Sequence, residues 1–271
     1  MYCHDWRSKT EILEEFSLLN ELKQHGVGIS YPISDIKGEF LQDIKAPEGL
    51  RYASLFSFAE GDKIRFMDEN TCFSIGKLMA KIHKITENKF INRIQYSTET
   101  LLDLPYTYAN KYFKDTLTEM QFIKQKSEEI SKTFQAVNKK KVRYGIVHLD
   151  IWYDNMSVKN SNEITIFDFD FCGNGWFVYD VGYFCKQLFH IETDKAVYES
   201  KKARFLEGYN SVLKLSEEEL ELIPSAGIAV WVFYLGVQSL RFDWSNIFLT
   251  ENYLKMYIGR IQSWNDYYNT V

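Results

Sequence analysis

Prolines are scarce in this chain, four in 271 residues, and with only 14 glycines they argue against long flexible linkers. Cysteines are equally few. Cys3, Cys72, Cys172 and Cys185 are scattered without a CxxC pair, which reads as buried or free thiols in a reducing cytosol. A basic excess is absent: 32 Lys and Arg stand against 37 Asp and Glu, so nucleic acid is not an expected partner. No run of about 18 apolar residues occurs, so no membrane span is expected. Met1 is followed at once by Tyr, Cys, His, Asp and Trp, which is no signal peptide. A cytoplasmic location is therefore the expectation. The stretch Ala226 to Val237 is apolar but short and contains glycines, and it reads as a buried helix.

What is present is aromatic. Phe, Trp and Tyr make up 16% of the chain, within 45% apolar and 25% charged residues. That suits one large domain or two small lobes with a core that needs no staples. Ser8-Lys9-Thr10-Glu11 fits a capping box. Ile12, Phe16, Leu19 and Leu22 then form one apolar face, so a helix is expected from Ser8 to Gln24, with Gly26 as its stop. GEFLQDI (38–44) and LRYASLFSF (50–58) flank a turn-like KAPEG, which predicts an antiparallel hairpin. From Asp68, an N-cap candidate, the chain turns mainly helical, with one or two helices between Pro105 and Lys139. MSV and ITIF, separated by KNSNE, predict a second small hairpin. After Gly175 the pattern is helical to the end.

The chemistry concentrates in HLDIWYDN (148–155) and in Asp168-Phe169-Asp170. Asp150 and Asn155 are spaced D-x-x-x-x-N, and Asp168 comes one hairpin later. Phosphoryl transfer needs an acceptor hydroxyl positioned beside a carboxylate that takes its proton, and a metal to spread the charge of the phosphates. An Asn oxygen and a second carboxylate suit Mg²⁺, which prefers few protein oxygens plus phosphate and water. Each signal alone is weak; the joint pattern is far more specific.

H-x-D-x-x-x-x-N followed by I-x-D-F-D resembles the aminoglycoside phosphotransferase and choline kinase superfamily, which also includes type II homoserine kinases and a bacterial stress-response Ser/Thr kinase. YCHDWRSKTEILEEFSLLNEL resembles that group's first N-lobe helix and its approach, GKLMAKIHKI its helix after the hinge, and NGWFVYDVGYF the segment after its metal-binding Asp, with Asp180 in the usual acidic position. The resemblance implies an α+β, protein-kinase-like bilobal fold, with residues 1–60 a partial N-lobe and 61–271 a helical C-lobe. It implies Asp150 as catalytic base, Asn155 and Asp168 as Mg²⁺ ligands, and His148 as a structural member of the catalytic loop. It offers Asp170 either a second metal or substrate contact or a loop-stabilising role. Glu15 would pair with a nucleotide-contacting Lys, and Ser57 and Phe58 would form the hinge that binds the adenine of ATP or its counterpart in GTP. Trp152, Tyr153, Trp176, Trp231 and Asp243 are candidate contacts to a small-molecule acceptor.

Two departures stand out. The family has Gly between the His and the Asp; this chain has Leu149, which excludes positive φ on residue type. Against the family layout the chain begins at Met1-Tyr2, where the third strand ends, so the phosphate-covering hairpin and its Lys are expected to be missing from an incomplete N-lobe. Three readings stay open: a kinase of a small-molecule hydroxyl such as that of an aminoglycoside or amino alcohol, a pseudokinase or binding module lacking the nucleotide Lys, and a Ser/Thr protein kinase.

Overall fold

In the computed structural model residues 1–160, 162–241 and 246–270 are described, and within them the chain opens with helix α1 (Lys9–Gln24). The expected capping box is formed: Ser8 accepts from the Glu11 amide, and Glu11 reaches back to Ser8. Ile12, Glu15, Phe16, Leu18, Leu19 and Leu22 make up its buried face, and Gly26, at φ +67°, ends it.

The next strands are shorter than the sequence pattern predicts. β1 (Pro32–Ile33), β2 (Gln42–Ala46), β3 (Gly49–Ala53) and β4 (Leu55–Phe56) form two separate pairs, β2 with β3 and β1 with β4. The hairpin of β2 and β3 is antiparallel as expected, closing at Ala46↔Gly49. Residues 38–41 are not part of it. The Asp35 carboxylate accepts from the amides of Lys37 and Glu39 and folds that stretch into a turn. The run 50–58 divides at Ser54, because its second half pairs with β1 instead of β2.

Helix α2 (Glu69–Thr86) is capped by Asp68, whose carboxylate accepts from the Thr71 amide at 2.7 Å. The expected helical stretch after Pro105 resolves into a π-helical turn (Glu99–Asp103), α3 (Leu104–Ala109) and α4 (Thr118–Ala136). Four short strands then frame the polar loops: β5 (Tyr144–Val147), β6 (Met156–Lys159), β7 (Glu163–Ile166) and β8 (Gly173–Trp176). β6 and β7 form the second predicted hairpin. β5 pairs with β8, which the sequence pattern did not mark as a strand. The register of these two pairs sets the path of the loops. Val147 faces Gly173 and Met156 faces Ile166. Segments 148–155 and 167–172 therefore each run between the same two paired ends and are forced alongside one another.

The rest is helical: α5 (Val178–Ile191), α6 (Lys195–Asn210), α7 (Glu217–Leu240) and α8 (Glu251–Thr270). α2 lies against α6 at backbone contact. A Cβ on Gly76 would sit 2.0 Å from the Phe205 carbonyl oxygen, and one on Gly208 would sit 2.0 Å from that of Phe73, so both positions require glycine. α7 is long and apolar enough to cross a bilayer, but 72% of its most apolar window is buried inside the protein. It is the central core helix, extending the buried helix expected at 226–237 in both directions.

Candidate active site

Loop 148–155 is organised by one carboxylate from α5. Asp180 is wholly buried. It accepts from the His148 amide at 2.9 Å, from the Leu149 amide at 2.6 Å and pairs with His83 Nε2 at 2.9 Å. The two consecutive amides reach this one carboxylate across a left-handed kink of the loop, with Leu149 at φ +66°. The expectation that a Leu here excludes positive φ is therefore overturned. Tertiary hydrogen bonds hold the backbone where the residue type resists it, at a cost of about 1–2 kcal/mol.

His148 is held within the loop's own hydrogen bonds. Its Nδ1 accepts from the Asp150 amide at 3.2 Å and its Nε2 faces the Phe167 carbonyl at 3.2 Å, so the proton sits on Nε2. Burial lowers its pKa, keeping the ring neutral. Asp150, two residues on, accepts from Tyr183 Oη at 2.8 Å through Oδ1 and from Asn155 Nδ2 at 2.7 Å through Oδ2. Burial pushes its carboxyl up to about 7, while the phenols of Tyr183 and Tyr234 pull the other way. The Phe167 amide donates to the Asn155 carbonyl at 3.0 Å, bringing Asp168 beside Asn155. Asp168 is itself left-handed, at φ +64°, a conformation kept at functional turns when the surroundings over-determine it.

Two cavities meet at Asp168. One, of about 740 Å³, is lined by Glu15, Ser30, Phe58, Lys63, Ser157 and Asp168 among others. The second, of about 600 Å³, is lined by Asp150, Trp152, Tyr183, Trp231, Tyr234 and Tyr257 among others, and again by Asp168.

Several expected roles change. Glu15 is buried and pairs with Arg93 Nη1 at 3.0 Å, not with a strand Lys. Burial pushes its pKa up to about 7 against the pull of Arg93. The Asp170 carboxylate is taken by Trp6 Nε1 at 2.6 Å and Arg7 Nε at 3.0 Å, which favours its loop-stabilising role over metal binding. The Ser57 backbone is already engaged: its amide donates to the Tyr31 carbonyl at 2.9 Å and its carbonyl accepts from Ser30 Oγ at 2.6 Å, which leaves that oxygen one lone pair. Phe58, exposed on the cavity wall, has no such backbone partners among the described residues. Trp152 and Trp231 line the second cavity. Tyr153 does not; it sits edge-on to Trp152 with the Arg65 guanidinium 5.9 Å from its ring. Trp176 packs into the core against Phe134 and Tyr179, away from both cavities. Asp243, with Trp244, lies outside the described residues.

Sequence reasoning missed Tyr183 and Gln187, which donates to the Tyr183 hydroxyl at 2.8 Å. The signal was available: Asp180, Tyr183 and Gln187 are spaced i, i+3, i+7 on one helical face. Tyr183→Phe is expected to raise the pKa of Asp150 by removing a donor to its charged form. The acid limb of any Asp150-dependent activity would move upward, and the rate at pH 6 would fall about tenfold if that pKa rose by one. An unmoved pH profile would show that this bond does not bear on Asp150.

The model of the phosphotransferase enzyme family (APH) matches residues 3–215. The chain belongs to the phosphotransferase enzyme family. A homoserine kinase of Agrobacterium fabrum is 29% identical over 233 residues, covering 84% of this chain and 67% of that one. Among solved structures, the amicoumacin kinase hAmiN in complex with AMP-PNP, Ca²⁺ and Ami aligns at a TM-score of 0.75 and 22% identity, covering 95% of this chain and 78% of that one. The microcompartment-associated aminopropanol kinase aligns at a TM-score of 0.77 and 17% identity, covering 97% and 82%. This phosphotransferase thus has the kinase-like fold that its loop motifs suggest, and its relatives are kinases of small molecules.

Proposed function

We propose that this phosphotransferase moves the terminal phosphate of ATP, bound in the larger cavity, to a hydroxyl of a small molecule seated in the smaller one. The observation that carries this is Asp168 on the shared wall of both cavities, with Asp150 opening only into the second. A phosphate reaching from one cavity to the other must pass beside these two residues.

Asp150 is the group that takes the acceptor's proton. Tyr183 and Asn155 each occupy one of its oxygens and fix its orientation. With the Tyr234 phenol as a third donor, the carboxylate keeps one lone pair for the incoming hydroxyl. Asn155 Oδ1 and the Asp168 carboxylate are hard oxygen donors and fit Mg²⁺, which takes few protein ligands and fills its shell with phosphate and water. When bound, that ion neutralises the charge that builds on the transferring phosphate. Lys63 is the one Lys or Arg among the described lining residues of the nucleotide cavity; its Nζ lies 3.8 Å from Asp154 Oδ1, and it would exchange that exposed pairing for the phosphates. Phe58 supplies the hinge backbone and one apolar wall for the base.

Calorimetric titration with AMP-PNP tests this reading. Micromolar binding that depends on Mg²⁺ is the expected result. No binding with Mg²⁺ present, together with no nucleotide-dependent phosphorylation of any hydroxyl compound, would overturn it.

A further inference from the structure

Among the described residues, four line both cavities: Met1, Tyr2, Asp168 and Asp170. A phosphate crossing from one cavity to the other passes among them. Asp170 is already bound by Trp6 and Arg7, Asp168 is an acceptor, and the Met1 side chain offers only a thioether. Tyr2 is the one of the four whose side chain can donate a hydrogen bond to a phosphate. No described Lys or Arg lines both cavities: Lys63 lines the first, and Arg241 and Arg260 line the second. The charge of a phosphoryl group in transit spreads over three equatorial oxygens. A fixed donor beside them is worth far more in a water-poor site than in water.

The Tyr2 hydroxyl is uncommitted. It makes no hydrogen bond among the described residues. The buried polar atoms that lack a partner are on Ser127, Tyr144, Trp231 and Gln238; the Tyr2 oxygen is not one of them and therefore keeps accessible surface. Glu15 is close enough to act on the phenol's charge, yet its carboxylate is taken by Arg93. The rest of Tyr2 is held still. Its amide donates to the Tyr52 carbonyl at 2.8 Å and its carbonyl accepts from Arg51 Nε at 3.0 Å, which pins its backbone along β3. Its ring packs against the cluster of Ile12, Phe16 and Leu41. A few residues on, Trp6 and Arg7 grip Asp170. Segment 2–7 is thus a strap from β3 to the loop that carries Asp168, fastened at both ends. Burial, then the negative charges of Glu15 and Asp170, push the phenol's pKa well up, so it remains a protonated donor wherever Asp150 is ionised.

We propose that Tyr2 is a catalytic residue of this phosphotransferase: its phenol donates a hydrogen bond to an oxygen of the phosphoryl group as that group crosses from one cavity to the other. The inference rests on the kinase reading of the two cavities. It gives the transferring group a neutral donor at the one point where the described residues bring no cation. A contact made only in transit speeds the chemical step without tightening the hold on the substrate.

Tyr2→Phe tests this, because it keeps the ring and its packing and removes only the donor. Turnover is read as ADP release from ATP and Mg²⁺, with water or 3-aminopropan-1-ol as the acceptor. Calorimetry reads the affinity for AMP-PNP, which resembles the bound substrate, and for ADP with aluminium fluoride, which resembles the phosphoryl group in transit. In Tyr2→Phe, kcat is expected to fall about 10- to 100-fold, and the affinity for ADP with aluminium fluoride by a similar factor. The affinity for AMP-PNP and the KM for ATP are expected to stay within about twofold of the parent. The acid limb near pH 7 should not move, because Asp150 keeps its own partners. With 3-fluorotyrosine in place of Tyr2, a more acidic donor, the rate is expected to match or exceed that of the parent. Equal turnover of Tyr2→Phe and parent, an equal weakening of AMP-PNP and the aluminium fluoride complex, or a 3-fluorotyrosine chain as slow as Tyr2→Phe would overturn the proposal. In the first case turnover persists, so the kinase reading survives and only the role of Tyr2 falls. A parent that neither binds AMP-PNP nor releases ADP takes down the kinase reading, and the role of Tyr2 with it.

Discussion

Replacing Asp150 with Asn is expected to slow phosphate transfer by about 10²–10⁴-fold, the usual worth of a positioned general base, while nucleotide affinity stays near its starting value. The amide keeps the shape of the carboxylate but cannot accept a proton. It also presents an NH₂ to Tyr183 or Asn155, both of which are donors here. The same carboxylate sets two pH dependences. With its pKa pushed up to about 7, Asp150 should give kcat/KM an acid limb near pH 7 in place of the usual carboxylate range near 4. Stability moves in the opposite sense. The folded state holds the Asp150 proton more tightly than the unfolded chain does. The favourable contribution of Asp150 is therefore complete below about pH 4 and is lost as the pH climbs through its folded value near 7. The melting temperature of Asp150→Asn, measured relative to the parent, should rise between those limits and level off above them. Unchanged turnover in the variant would remove Asp150 from the reaction; a flat difference in melting temperature would remove the raised pKa.

Asp180→Ala should produce the largest loss of stability. It strips a buried acceptor from two backbone amides and from His83, and His83 is held on its other side by Tyr209 Oη at 2.8 Å. Breaking such a buried charged network costs about 3–5 kcal/mol. In a domain of this size that is on the order of 10 °C in melting temperature. Asp180→Asn, which keeps the shape and one acceptor oxygen, should fall between. Calorimetry on both variants decides the matter. A shift for Asp180→Ala below roughly 2 °C would mean that the loop is held by other contacts.

Much of the site was legible because its signals are local. Asp150, Asn155 and Asp168 lie on two segments joined by the β6–β7 hairpin, which spacing and strand pattern marked; the β5–β8 pairing at their other end was not marked. The capping box at Ser8 and the buried helix after Ala226 were legible for the same reason. What escaped was set by distant partners. Arg93, the cation that Glu15 meets, lies 78 residues further along the chain, and nothing around Glu15 signals it. The hydrogen bonds of Ser57 depend on the register of β4 against β1, which two-residue strands do not encode. Trp176 was read as an acceptor contact because its segment resembles one that borders the acceptor cleft in the family, and its packing against Phe134 and Tyr179 depends on partners distant in the chain or on its own rotamer. Leu149 is the sharpest case, since its type argues against the conformation that Asp180 imposes on it.

That leucine has a consequence for how the sequence can change over time. Its backbone would gain about 1–2 kcal/mol from glycine, but its side chain is fully buried in the core, and emptying such a site costs about 2–5 kcal/mol. The direct step to glycine is a net loss of stability even though the destination backbone is the easier one. Glycine becomes the better residue only where neighbouring side chains are large enough to fill the space. At position 149 the side chain, and not the backbone conformation, decides which residue is tolerated.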